Sequence, residues 1–268
     1  MILCVDIGNT HIHLGLFIRA ALRKTWTIAS KPQRTCDEYA LLLRGLLGEG
    51  LPLQSAIIAS VVPRLEWPMA QAIEQEFKTM PVIMDDRTPT GLINGYEHPS
   101  EVGMDRLANA VGAEYFHGAP VLILDFGTAI TLDYLAPTPL GETMPVYMGG
   151  AILPGIEMAA ESLARNTAKL PRVALMEPRR AIGRTTAESI QAGLLHGYTG
   201  AITTLVERAR EELNDNVEVI ATGGDVMGLK DHLPFISAVH PELTLYGLRQ
   251  ILGHSIGDML PPRREENN

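Results

Sequence analysis

Two aspartates stand where a strand should end. In "CVDIGNT" (Cys4–Thr10) and "ILDFGTA" (Ile123–Ala129), an apolar run gives way to Asp, one apolar residue, Gly and a polar residue. Asp6 and Asp125 lie 119 residues apart, one in each half of the chain. A turn with little side-chain bulk lets backbone N–H groups approach phosphate oxygens, and a carboxylate beside it can hold the hydrated Mg²⁺ that accompanies a nucleotide. One such turn would read as a tight hairpin with a solvated Asp. Two copies point to a duplicated α/β unit with facing turns. "ATGGD" (Ala221–Asp225) supplies a third Gly turn. A different chemistry is offered by "GMDR", where Asp105 and Arg106 open a predicted helix. The helix dipole there favours an ionised carboxylate ready to accept a proton, and Arg106 is a local cation for an anionic substrate.

The elements that must position these residues follow from pattern. Ile2–Val5 is a short apolar run; Ile12, Leu14, Leu16 and Ile18 alternate with His11, His13 and Gly15. Together they predict two strands joined at Gly8-Asn9. Leu22–Ile28 is a third strand. "TCDEYALLLRGLLG" predicts a helix with Thr35 and Asp37 as candidate caps and Gly48 as its stop. "SAIIASVVP" is a buried strand closed by Pro63, followed by a helix over about 65–77 and a short strand near Val82. After a Gly/Pro-rich stretch, "MDRLANAVGAEYF" is helical, with Leu107, Ala108, Val111 and Tyr115 on one face. In the second half, "PVLILDFGTAITLDYLAP" gives two strands and "MGGAILPGIEMAAESLARN" a strand and a helix. A long helix follows in "TTAESIQAGLLHGYTGAITTLVERAREEL", its apolar face running Ile190, Leu194, Tyr198, Ala201, Leu205, Ala209. "VEVIATGGD" is a buried strand entering a turn, and "PPRREENN" a solvated tail. These readings place a first domain at 1–114, a second at 115–260 and the tail at 261–268, with the last helix packing back across the first domain.

The 268 residues are 46% hydrophobic and 20% charged, as in soluble globular proteins. A net charge of −9 argues against a nucleic-acid or membrane-surface binder, which carries a basic face. Cys4 and Cys36 form neither a metal-ligand spacing nor a disulfide framework, which makes a reducing cytoplasm the expectation. The start of the chain has no positively charged n-region, and no apolar run approaches ~18 residues.

Three familiar chemistries drop out. "DFG" occurs without a G-x-G-x-x-G loop or an H-R-D loop, and there is no Walker A sequence. Gly253–Gly257 satisfies G-x-S-x-G, but no His follows Ser255 and the context is helical.

With its three Gly turns, the chain resembles the acetate and sugar kinase, heat-shock 70 and actin superfamily. That resemblance implies two duplicated ribonuclease-H-like, actin-like ATPase domains of α/β class, with mixed sheets flanked by helices. Within it, "DIGNT", "GYEHP", "GMDR", "DFGTA", "GGAILPG" and "ATGGD", in order and spacing from residue 2 to about 255, resemble the type III pantothenate kinases. The resemblance implies phosphorylation of pantothenate by ATP to 4′-phosphopantothenate, which starts coenzyme A synthesis. It also implies Mg²⁺, a monovalent cation (K⁺ or NH₄⁺) and a homodimer.

Carried over by position, Asp6, Ile7, Gly8, Asn9, Thr10, His11, Ile12 and His13 form the first phosphate loop, with Asp6 acting through Mg²⁺-bound water. His11 and His13 receive no catalytic task. Gly103, Met104, Asp105 and Arg106 hold pantothenate, Asp105 as proton acceptor and Arg106 as partner for its polar end. Tyr96 lines the same pocket and Thr186 contacts the substrate. Asp125 contacts the monovalent cation, Thr128 the nucleotide, and Gly223 and Gly224 the adenosine.

Plainer roles stand beside these. Arg106 could be a surface ion-pair partner, Tyr96 a core aromatic, and Asp225 the cap of a following helix. Thr185 with Glu188 fits a capping box and reads as structural. The small residues of "AGLLHGYTGA" suit either a dimer surface or packing within one subunit. Another small-molecule kinase or phosphatase of the superfamily would explain the Asp turns equally, but not "GMDR" with "GYEHP". Retention of Asp105, Asp6 and Asp125 speaks against a non-catalytic ATP-binding regulator.

Overall fold

The computed structural model describes residues 1–257, so the tail expected at 261–268 lies outside the described residues. The chain packs as two compact units. One comprises Met1–Ala119, Ala136–Met148 and the chain from Glu242 to Gly257, the last described residue; the other comprises Pro120–Leu135 and Gly149–Pro241. The chain is therefore cut at several points rather than once near residue 115.

In the first unit, β1 (Ile2–Ile7), β2 (His11–Ile18), β3 (Ala21–Ala29), β4 (Ser55–Ser60) and β5 (Val82–Ile83) form a mixed sheet in the order β3-β2-β1-β4-β5. The central strands β1 and β4 read as continuous apolar runs because both their faces are covered. β1 runs antiparallel to β2, pairing Asp6 with His13, and parallel to β4, pairing Asp6 with Ala59. Helices α1 (Cys36–Leu47) and α2 (Pro63–Phe77) cover one face, where Leu3, Val5, Ile7, Ile12 and Leu14 meet Tyr39, Leu43, Leu65 and Ile73. Thr35, not Asp37, caps α1: it accepts from the Glu38 N–H while the Glu38 carboxylate accepts from the Thr35 N–H. Such caps stabilise a helix by about 1 kcal/mol. Pro63 opens α2 rather than closing β4, since a first-turn position needs no N–H.

A two-residue strand, β6 (Ile93–Asn94), precedes α3 (Met104–Phe116), whose boundaries coincide with the predicted segment. α3 is buried almost all round, from Arg106 to Ala113. The covering element is the last helix, α6 (Leu243–Ile256), which packs along α3 and against β1 and does belong to the first unit. A hydrogen bond from Thr244 Oγ1 to Asn109 Oδ1 (2.7 Å) satisfies a wholly buried amide between them.

The second unit repeats the plan. β7 (Val121–Phe126) and β8 (Ala129–Ala136) form the hairpin, β9 is Val146–Pro154, and β10 (Glu218–Thr222) and β11 (Ile236–Val239) run parallel to β7. The order β9-β8-β7-β10-β11 reproduces β3-β2-β1-β4-β5 strand for strand. The duplication inferred from two Asp turns thus extends to sheet topology. Helices α4 (Ile156–Arg165) and α5 (Thr186–Leu213) complete the unit. Ile190, Leu194, Leu195, Ile202 and Val206 of α5 enter its core. Ala201, expected on that face, is exposed because Ile202 takes the inward position.

Candidate functional site

The first turn grows from pairing. Asp6 is half-buried at the end of β1, and the Gly8 N–H donates to the His11 carbonyl (2.9 Å) to close the hairpin. The end of β3 braces it: Ser30 Oγ donates to the Gly8 carbonyl at 2.6 Å, and the Ser30 N–H donates to the Thr10 carbonyl at 2.9 Å. Asn9, Thr10, His11 and His13 are exposed; Ile7 and Ile12 turn their side chains into the core. Their side chains are therefore withdrawn from any ligand at the turn, and the Ile7 carbonyl accepts from the Val61 N–H. Thr27 Oγ1 lies 3.2 Å from His13 Nδ1, and partial loss of water around the exposed-edge ring, with His11 nearby, lowers the His13 pKa.

The second group of predicted residues meets in the same unit. Gly103 precedes α3, placing Asp105 in its first turn. One Asp105 carboxylate oxygen accepts from the Arg106 N–H at 2.8 Å, and a Cβ on Gly103 would collide with that oxygen. The same Cβ would lie 3.6 Å from Val61, just past the end of β4, so Gly103 sits close to the chain that leaves the sheet there. Arg106 is buried rather than a surface ion-pair residue, and its guanidinium carbon lies 5.8 Å from the centre of the Tyr147 ring. Tyr96 stands against the other part of this cluster, its ring 6.3 Å from that of Tyr147 and inclined by 35°. β6 runs parallel to the start of β9, pairing Asn94 with Tyr147, and the Gly95 N–H donates to the Tyr147 carbonyl. Tyr147 was not among the residues singled out by sequence. Its one signal was an aromatic residue directly before the "MGGAILPG" block.

In the second unit, three segments close on one stretch of backbone. The Gly127 N–H donates to the Ala129 carbonyl (3.1 Å), the Gly155 N–H to the Thr128 carbonyl (2.9 Å) and the Asp225 N–H to the Phe126 carbonyl (3.2 Å). Asp125 is half-buried, flanked in the sheet by Thr131 of β8 and Thr222 of β10. Gly223 has φ +97°, and a Cβ there would overlap the Phe126 backbone; a Cβ on Gly155 would overlap the carbonyls of Gly127 and Thr128. The "DFGTA", "PG" and "TGGD" motifs are therefore one structural knot, bringing Asp125, Thr128, Gly223 and Gly224 together. Asp225 makes no side-chain cap.

Thr186 is exposed at the start of α5 and is not drawn into that knot. Thr185 caps the helix as predicted, accepting from the Glu188 N–H at 3.2 Å. The Glu188 carboxylate takes the Arg184 N–H, so the reciprocal half of the box is displaced by one residue.

Among the described residues no three His, Cys, Asp or Glu gather into a set that could hold a metal alone. A single hard carboxylate such as Asp6 suits Mg²⁺ that keeps water and phosphate oxygens as its other ligands. No helix among the described residues is long and apolar enough to cross a membrane.

Comparison with known proteins agrees with this arrangement. A protein from Campylobacter jejuni described as a Baf family transcriptional activator superposes with a TM-score of 0.56 at 17% identity, covering 95% of this chain and 99% of that one. The activator of 2-hydroxyisocaproyl-CoA dehydratase from Clostridium difficile, solved with bound ADPNP, gives 0.50 at 11% identity, with 97% and 98% covered. At such identities these likenesses speak for the fold, which is the actin-like one of two mixed sheets flanked by helices. Sequence goes further. The type III pantothenate kinase of Moorella thermoacetica is 40% identical over 253 residues, 93% of this chain and 97% of that protein. The family model for type III pantothenate kinase matches residues 2–208. With both Asp turns, "GMDR" and "GYEHP" in place, the chain belongs to the type III pantothenate kinase family.

Proposed function

We propose that this chain phosphorylates pantothenate with ATP to 4′-phosphopantothenate, the first step of coenzyme A biosynthesis. The observation that carries this reading is the grouping of Asp105, Arg106 and Tyr96 within one unit of a chain belonging to this family. Phosphoryl transfer has a loose transition state, so the protein's work is alignment and charge neutralisation. Asp105 accepts the hydroxyl proton of pantothenate as the new O–P bond forms and the bond from the γ-phosphorus to the bridging oxygen breaks. Gly103 and Met104 shape the pocket, Arg106 holds the polar end of the substrate, Tyr96 lines the same pocket, and Thr186 adds a contact. The backbone of Asp6–His13 cradles ATP phosphates, while Thr128, Gly223 and Gly224 contact the nucleotide. Mg²⁺, held through water by Asp6, would neutralise charge on the transferred group. Asp125 would hold K⁺ or NH₄⁺. The site of action in this reading is the cytoplasm.

The reading includes a homodimer. Among the described residues nothing lies within 4 Å of a Cβ placed on Gly193, Gly197 or Gly200, so packing within the subunit does not account for these glycines of α5. An exposed, small-residue helix face suits a second copy, and sedimentation of the purified protein tests that directly.

The decisive experiment is ADP release from ATP and Mg²⁺, with and without pantothenate, in K⁺ and then in Na⁺ buffer. Pantothenate-dependent release that requires K⁺ is expected; release indifferent to pantothenate would remove the substrate assignment. Asp105→Asn should leave ATP and pantothenate binding near wild type while kcat falls at least ~100-fold. Near-normal turnover in that variant would remove Asp105 from the role of base.

A further inference from the structure

We infer that Tyr147 is a positioning residue for the acceptor substrate: a buried aromatic platform that sets Arg106 and Tyr96 in their working orientations. The inference rests on the pantothenate reading above. Two contacts converge on this one buried side chain. It is fully buried, the Arg106 guanidinium carbon lies 5.8 Å from its ring centre, and the Tyr96 ring lies 6.3 Å away. A guanidinium within about 6 Å of an aromatic ring is attracted by the ring's quadrupole, and more strongly where water is excluded. Arg106 itself is 7% exposed, so this attraction acts in a desolvated setting.

The backbone supplies the second half of the argument. Asn94 is the parallel partner of Tyr147, the Gly95 N–H donates to the Tyr147 carbonyl at 2.9 Å, and the Tyr96 N–H donates to Asn94 Oδ1 at 3.1 Å. β6 is only two residues long and sits in a Gly/Pro-rich stretch with little structure of its own. Its register against Tyr147 therefore decides where Tyr96 stands. One residue thus fixes the cation from α3 by its ring and the tyrosine of "GYEHP" by its main chain and its ring together.

The test separates orientation from general packing. Tyr147→Phe keeps the ring, and both KM values should stay within about twofold of wild type. Tyr147→Leu keeps bulk but loses the ring; it should raise the KM for pantothenate roughly tenfold while leaving the KM for ATP within about twofold. Tyr147→Met replaces it if the leucine variant does not fold. Equal rises in both KM values, or no change for pantothenate, would overturn the inference. If the wild type itself ignores pantothenate, the functional reading has failed, and a cycle of Arg106→Gln, Tyr147→Leu and the double variant in thermal melts decides the contact alone. A double variant that loses less than the sum of the single losses supports the platform, and additive losses overturn it.

Discussion

The two Asp–Gly turns begin from the same pattern and the same place in the same sheet order, yet they are fastened differently. The Asp6 turn is held by Ser30, through side chain and main chain, and by the Val61 N–H on the Ile7 carbonyl, and it leaves Asn9, Thr10 and His11 exposed. The Asp125 turn is gripped by the main chain of two other segments, at Gly155 and Gly223, with no room for a side chain at either. In the proposed roles, a loop that moulds its N–H groups around phosphates gains from slack, and a turn that presents a carboxylate at a fixed point gains from being wedged. The glycines of the second turn therefore answer to close packing of backbone on backbone, while a Cβ on Gly8 of the first would meet only the His11 carbonyl.

The largest effect should come from filling that wedge. Gly223→Ala would put a Cβ into the Phe126 backbone at φ +97°, a combination that costs about 3 kcal/mol or more. At the size of this unit, about 110 residues, that corresponds to a fall in Tm of roughly 10–20 °C. Gly8→Ala meets only the His11 carbonyl, at 3.0 Å, and its φ is not positive. Its Tm should stay within about 3 °C of wild type. Equal losses in the two variants would erase the contrast between the turns.

Next in size are the carboxylates themselves. In the proposed roles, Asp6→Asn weakens the hold on hydrated Mg²⁺ and should reduce turnover about 10- to 100-fold, partly recovered at high Mg²⁺. Asp125→Asn should instead abolish the difference between K⁺ and Na⁺ buffers without altering the Mg²⁺ requirement. If each variant shifted both ion responses, the division of labour between the turns would be wrong.

How far this contrast could be read from sequence depends on the range of the signal. The hairpins, the Thr35 and Thr185 caps and the limits of α3 are written in neighbouring residues, and each was legible. The duplicated topology was legible because the Asp–Gly pattern recurs. Tyr147 was not, because its importance comes from β6, more than fifty residues earlier, within a segment lacking periodicity. The wedge at Gly223 was hidden for the same reason: "TGGD" looks like a local strand-to-helix turn, and only the parallel pairing of β10 with β7 carries it onto Phe126. Asp37 and Ala201 misled because composition names a candidate cap or face, whereas the fold chooses among near neighbours.

A smaller effect tests the brace. Ser30→Ala removes the 2.6 Å hydrogen bond to the Gly8 carbonyl, a part-buried contact whose loss costs about 1 kcal/mol. The main consequence should fall on the nucleotide, as a rise of several-fold in the KM for ATP with the KM for pantothenate unchanged. A uniform loss of stability with both KM values intact would make Ser30 a packing residue only.

The smallest effect concerns the strand beside the first turn. Ser60, the β4 partner of Ile7, accepts from the Val62 N–H at 2.9 Å and hydrogen-bonds the Glu66 carboxylate. Burial raises the Glu66 pKa above its ordinary value of 4.5, and the Ser60 bond offsets only part of that rise. A carboxyl whose folded pKa is raised binds its proton more tightly in the native state. Its contribution to stability is therefore full below pH 4.5 and is lost as pH climbs through the folded pKa. Glu66→Gln cannot ionise, so its melting temperature should match wild type near pH ~4 and exceed it slightly at pH ~7. A variant that melts below wild type at neutral pH would show the opposite balance, with the charged bond to Ser60 outweighing burial and pinning the end of β4 beside the Asp6 turn.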